Sequence, residues 1–231
     1  MRVNSVLESI ISKNSEVGIM LEPFFKYYLR PYNSHESGAL ESISRPHHGL
    51  MHVSRVAFYV EVLHGLHKTH QNPATSKKIK KLTTAFHVTE KDLLNYTVCT
   101  AFLHDVARKG DGPDKWDEDS AKQAKDLLIQ HKANLPIKDP AIAHIFSEII
   151  HFKDAPNDYQ EFVQAYLAEH KMKIDVEAML YLHSLVHDAD VIDVMRVRGR
   201  FDISYLYCSK LFSTQESSKD LISLIGSAGK L

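Results

Sequence analysis

The sequence predicts an all-α protein, a single-domain helical bundle, and three observations carry that expectation. Apolar residues recur at i, i+3 and i+4 along most of the 231-residue chain. Capping residues and prolines stand between these runs, at the places where helices start and stop. No Asn-Gly or similar hairpin signal separates alternating runs, so strands have no foothold. The expected organisation is one domain over residues 1–231. Its motif-bearing core spans about 47–211, preceded by N-terminal helices and a loop (1–46) and followed by a tail (212–231).

Taken in order, Val3, Val6, Leu7, Ile10 and Ile11 form the stripe of a short amphipathic helix. Residues 22–47 read as irregular, with Pro23, Pro31, Gly38 and Pro46. A long helix should start near Leu50 and run to about Lys68, stopped by Gln71-Asn72-Pro73. Lys77, Lys78, Lys80 and Lys81 then read as a solvated basic face. Thr89 with Asp92 resembles a capping box and opens a helix that is apolar nearly all round at its C-terminal end, hence central. After a charged loop from Arg108 to Asp119, Asp119 or Ser120 should cap a helix through Gln130. Asp139-Pro140 is an N-cap/N1 pair for a helix through about Phe152. Asp158 should cap a helix to Glu169, Asp175 another through Met195, and a last helix should cover Phe201 to Leu211.

Composition narrows the function. With 28 Lys+Arg against 29 Asp+Glu, the formal charge is −1, which gives no DNA-binding signal. At 44% hydrophobic, and with no apolar run of spanning length, the chain reads as soluble and cytoplasmic, with no membrane partner. Two cysteines make no disulfide framework. Fifteen histidines are the outlier, and histidine is both a common metal ligand and the acid or base of neutral pH.

Those histidines fall with acids inside apolar helices. His48 and His52 share one face of the helix that starts near Leu50, with Arg55 beyond them. His104-Asp105 ends the most apolar helix, where an unpaired carboxylate would be costly. His144 and His151 lie two turns apart, and His187-Asp188-Ala189-Asp190 interrupts another apolar run. His64, His67, His70, His87, His170 and His183 read as surface or helix-end residues. Helical bundles build metal sites from such inward-facing side chains, and imidazole with carboxylate suits a divalent cation.

Three segments carry a resemblance: His52-Val-Ser-Arg-Val, Phe102-Leu-His104-Asp105-Val-Ala-Arg108, and Asp188-Ala-Asp190-Val-Ile-Asp193. In that order they resemble the HD-domain metal-dependent phosphohydrolase superfamily. The resemblance implies a helical bundle in which His52, His104, Asp105 and Asp188 are metal ligands. His151 fits one place for a further ligand, while the other place lacks its histidine, so one ion is expected rather than two. The metal would be Mn, Mg, Fe, Co or Ni, and the substrate a nucleotide or phosphodiester attacked by a metal-activated water. Asp105 would be ligand or base, with His48 or His187 as acid or as support to a ligand. Arg55, Arg108 and Lys153 are the candidates to hold substrate phosphate.

A second, more local resemblance rests on Arg45-Pro-His47-His48-Gly49-Leu50-Met51-His52 and His187-Asp188-Ala189-Asp190. These segments are similar to the phosphodiesterase domain of SidE-type bacterial effector proteins. That likeness implies two histidines and a glutamate acting without metal on a phosphodiester in ADP-ribose attached to ubiquitin. His48 or His52 would be one histidine, His187 the other, and Glu118 the acid. Modified ubiquitin would then be the partner, and the protein would work inside a host cell. A third alternative is an inactive HD domain that binds nucleotide without turnover.

Overall fold

The computed structural model describes residues 16–29, 48–110, 115–198, 203–207, 219–220 and 222–223. In chain order the helices are α1 (Glu16–Leu29), α2 (Leu50–Phe86), α3 (Glu90–Leu103), α4 (Asp117–Gln130), α5 (Pro140–His151), α6 (Pro156–Glu169) and α7 (Val176–Arg198). Single 3₁₀ turns occupy Lys132–Asn134 and Ile203–Tyr205, and no strand occurs among the described residues. The expected all-α architecture is what folds.

The centre of the bundle is α2 laid against α7 and α3, because these three helices carry the widest apolar surfaces. Val53, Val56, Val60 and Leu63 of α2 meet Leu182, Leu185, Val186 and Ala189 of α7 and the Leu93–Leu103 stretch of α3, all within one buried cluster. The helix α4 packs on α5, α6 lies on α7, and α1 rests against α3 and α2. Tyr28 Oη donates to the Phe102 carbonyl at 2.6 Å, fastening α1 beside the end of α3.

Local signals set several boundaries. The Thr89 hydroxyl accepts from Asp92 N–H while the Asp92 carboxylate accepts from Thr89 N–H, so α3 opens on a complete capping box. The Asp139 carboxylate accepts from Ala141 N–H with Pro140 in the first turn, and Asp175 Oδ1 accepts from Ala178 N–H at 2.9 Å. His87 ends α2 with φ 55°, a left-handed conformation that histidine enters more readily than most residues.

Elsewhere tertiary packing overrides the local signal. Residues 22–29, expected to be irregular, belong to α1 despite Pro23, because Met20, Leu21 and Phe24 are buried in the core. The helix α2 does not stop at Gln71-Asn72-Pro73; it continues to Phe86, with Ile79, Leu82 and Phe86 docking its second half. Thr75 Oγ1 donates to the His67 carbonyl at 3.3 Å, a side-chain bond that spans the proline. Lys77, Lys80 and Lys81 are exposed on this extension, as expected of a solvated face.

Two expected caps and one expected helix also differ. The helix α4 begins at Asp117, before Asp119 and Ser120, whose acids instead sit in its positive first turn; Ser120 Oγ accepts from Ala107 N–H. The helix α6 begins at Pro156, so Asp158 lies inside the first turn rather than at the cap. The expected Phe201–Leu211 helix is replaced over 203–207 by a 3₁₀ turn and two non-helical residues. The Val3–Ile11 stripe and residues 208–211 lie outside the described residues.

Candidate active site

The polar site forms where the start of α2, the end of α3 and the middle of α7 converge. Burial makes each of its groups seek a partner, because a buried charge without one is costly. His52, on α2, is 3% exposed. Its Nδ1–H donates to Asp193 Oδ2 at 2.8 Å, and Arg55 grips both oxygens of Asp193 at 2.6 and 2.9 Å. His104 donates Nδ1–H to the Ala101 carbonyl at 2.7 Å, an oxygen at the end of α3 that also accepts the His104 backbone N–H at 3.4 Å. The two remaining nitrogens, His52 Nε2 and His104 Nε2, face each other at 3.1 Å.

Around this imidazole pair stand two carboxylates. Asp190 Oδ1 lies 3.2 Å from His52 Nε2 and 3.5 Å from His104 Nε2, without a well-directed hydrogen bond of its own. Its Oδ2 is paired with Lys153 Nζ at 2.9 Å, the lysine arriving from the turn after α5. Asp105 Oδ2 lies 3.5 Å from His52 Nε2 and 3.6 Å from His104 Nε2, and accepts from His48 Nδ1–H at 3.0 Å. Arg108 NH1 is 3.5 Å from Asp105 Oδ1, while its Nε–H donates to the Gly110 carbonyl and its guanidinium lies over Trp116.

The electrostatics follow from this interlock. Burial alone would lower the His52 pKa, but its bonds to Asp190 and Asp193 and the nearby Asp105 charge raise it to about 9. Burial opposes ionisation of Asp190, yet Lys153, His104 and His52 hold its carboxyl well below the usual range. Asp105 and Asp193 are lowered against burial in the same way, by His104, His48 and Lys153 in the first case and by His52 and Arg55 in the second. Lys153 is disfavoured by burial, but Asp190, Asp117, Asp154 and Asp105 raise its pKa well above normal.

A second histidine–aspartate pair adjoins the first. His187 donates Nδ1–H to Asp188 Oδ1 at 2.9 Å, and its Nε2 is 3.5 Å from the exposed Asp154. Tyr207 stacks on the His187 ring at 3.6 Å and also donates its backbone N–H to Asp188 Oδ1. Lys153 acts electrostatically on Asp190, Asp105, Asp154 and Tyr207, so the two pairs share one field.

The structure therefore brings together His48, His52, His104, Asp105, His187 and Lys153, all expected from sequence. Two departures concern the metal set. Among the described residues, the groups of converging donors are His48/His52/Asp105 and His52/His104/Asp190, and neither contains Asp188 or His151. On a helix Asp188 and Asp190 point about 200° apart, so only one can face α2. Asp190 faces it and Asp188 turns to Tyr207. His151 instead pairs with Glu148 at 3.0 Å. Glu118 also departs: it is exposed on α4 and bonded to Lys122 at 2.7 Å.

Arg55, Arg108 and Lys153, expected to hold phosphate, face buried carboxylates instead. His64, His67 and His183 are buried rather than superficial, the first two against Tyr181 and the third stacked on Tyr159. Asp190 and Asp193 stand in the segments quoted above with no role assigned to them, and Tyr207 stands in none. The first two had a signal in their i, i+3 spacing on an apolar helix. Tyr207 had none, since its position depends on a turn.

Two imidazoles, His48 and His187, each have Nδ1 on an aspartate, the arrangement that nucleophilic or acid–base work uses. Residues 26–231 match the SidE phosphodiesterase (PDE) domain family, nearly the whole chain, and the protein belongs to that family. No curated protein and no solved structure matches it. The wider HD likeness rests on the three sequence segments alone. No helix among the described residues is long and apolar enough to cross a membrane.

Proposed function

We propose that this protein is a phosphodiesterase of the SidE type, acting without a metal on the phosphodiester of ADP-ribose carried by ubiquitin. The observation that supports this reading best is the pair of dyads, His48–Asp105 and His187–Asp188, in a chain of that family. Asp105 is ionised and can only accept, so His48 carries its proton on Nδ1 and presents an Nε2 lone pair. His48, with its side chain 21% exposed, is the attacking or proton-accepting imidazole; His52 and His104 are shut away behind it. His187 keeps its Nδ1–H on Asp188 and gives a proton carried on Nε2 to the leaving oxygen. Asp105 holds and orients His48.

The buried carboxylates Asp105, Asp188, Asp190 and Asp193 are packed among Lys153, Arg55, Arg108 and the imidazoles of His52 and His104.

One observation favours a second reading. His52 Nε2, His104 Nε2, Asp105 Oδ2 and Asp190 Oδ1 stand 3.1 to 3.6 Å apart in each measured pair. Donors bound at about 2.0–2.2 Å to one ion have such separations. These four residues would hold a divalent Mn, Mg, Fe, Co or Ni ion, once His52 gave up its proton. Bound there, it would polarise a phosphoryl oxygen and acidify water.

Chelation separates the two. Exhaustively chelated protein, assayed on ADP-ribosylated ubiquitin, should keep full turnover and gain nothing from added divalent ions. Loss on chelation, restored by one of them, would establish the second reading in its place.

A further inference from the structure

The proposal concerns Tyr207, a residue outside both sequence resemblances and outside the dyads themselves. It stands in the short stretch after α7, beyond the 3₁₀ turn Ile203–Tyr205. Its ring is parallel to that of His187, with centroids 3.6 Å apart and planes 10° from coplanar. The ring is nevertheless 38% exposed, so burial of its own surface is incomplete. Its backbone N–H donates at 2.8 Å to Asp188 Oδ1, the same oxygen that accepts from His187 Nδ1 at 2.9 Å.

One residue thus holds His187 by two routes. The stack fixes the plane of the imidazole, and the amide holds the carboxylate that fixes which nitrogen carries the proton. The stack extends further: Tyr207 lies parallel to His183 at 5.8 Å, and His183 is stacked on Tyr159 at 4.8 Å. His183 in turn meets the Phe152 carbonyl at 2.8 Å, in the turn that delivers Lys153 to Asp190. The column of rings therefore connects the His187 dyad to the turn that supplies the buried lysine.

We infer that Tyr207 is a positioning residue, whose ring holds the His187 imidazole in the orientation required to donate its proton to the leaving oxygen. The inference rests on the reading of His187 as the acid of the phosphodiesterase. The phenol is not the working part: burial, with Asp154 and Asp188 nearby, raises its pKa to about 12, so it stays neutral. The ring face is what acts.

The test uses the full chain with Tyr207→Ala and Tyr207→Phe. Both keep the backbone N–H, so only the ring is varied. Turnover of ADP-ribosylated ubiquitin and the NMR signals of the His187 ring are read together, with His187→Ala as the kinetic control and for signal assignment. Tyr207→Ala should lower kcat by about tenfold to a hundredfold, as misplacement of a catalytic group by about 1 Å does, with KM nearly unchanged. It should also shift the His187 ring signals, through loss of the stacked ring current and of the fixed ring plane. Tyr207→Phe should behave as wild type in both measurements. Wild-type kcat and unmoved His187 signals in Tyr207→Ala would overturn the inference. So would a Tyr207→Phe variant as impaired as Tyr207→Ala, because the phenol rather than the stack would then matter. If His187→Ala itself retains turnover, the reading of His187 as acid fails, and the proposed catalytic role of Tyr207 is overturned with it. The NMR comparison still decides whether the ring fixes the imidazole.

Discussion

His52 is the residue on which the buried network turns. Its Nδ1–H is spent on Asp193, itself gripped by Arg55, and its Nε2 points at His104 and Asp190. Two bare imidazole nitrogens would repel at 3.1 Å, so in the metal-free reading a proton stands between them, and against the effect of burial the neighbouring Asp190, Asp193 and Asp105 raise the His52 pKa to about 9. The raised value has a consequence for stability. Between about 6.5 and about 9 the folded protein binds a proton that the unfolded chain releases, so stability falls as pH rises through that window. Chelated protein followed by denaturant unfolding at successive pH values should show this decline, and His52→Gln should flatten it. A slope equal in both proteins would show that His52 is neutral in the fold. His67 has the opposite sign: burial lowers it to about 3, so its contribution is present above about 6.5 and is lost as pH falls from there toward 3. The two windows do not overlap.

Among the elements, α3 links a local signal to the site most directly. Its capping box fixes the N-terminus at Thr89, and fourteen residues later the helix ends at Leu103, placing the His104 ring on the Ala101 carbonyl. Thr89→Ala should cost about 1 kcal/mol of stability, the usual value of an N-cap, and leave kcat unchanged because the box is exposed at the far end of the helix. Urea unfolding and a turnover assay on the same preparation measure both. A fall in kcat with stability intact would show that the register of α3 responds to its cap. Boundaries set by side chains within three residues could be read from the sequence, as at Thr89, Asp139 and Asp175. Those set by distant packing could not. Pro73 and Pro23 are strong local stops, yet both lie within helices whose following or surrounding residues are buried against other elements.

At the scale of the whole molecule, the sequence revealed that histidines and acids enter apolar helices, and the fold gathers most of them at one end of α2. It did not reveal which acid faces inward. Asp188 and Asp190 are equally compatible with the motif, and only the rotation of α7 against α2 selects Asp190 for the imidazole pair while leaving Asp188 to hold His187. Nor could it show that Arg55, Arg108 and Lys153 would be drawn into neutralising buried carboxylates. That follows from burying four acids together, which no local pattern encodes. The outcome is a buried, ion-paired interior bordered by His48, which is partly exposed, and His187, which is buried beneath Tyr207. In the proposed mechanism the interior fixes orientation, and His48 and His187 present the nitrogens that meet the substrate.

The measurement that tests this division most directly is turnover of ADP-ribosylated ubiquitin by His48→Ala, His187→Ala and the double variant, each shown by circular dichroism to be folded. Each single substitution should lower kcat by about 10²- to 10⁴-fold, the range for loss of a positioned proton-transfer group. The double variant should lose little more than either single one, because two residues acting as a unit are not additive. Near-wild-type turnover in either single variant, with His104→Ala or Asp190→Ala inactive instead, would contradict the account and move the chemistry to the buried imidazole pair.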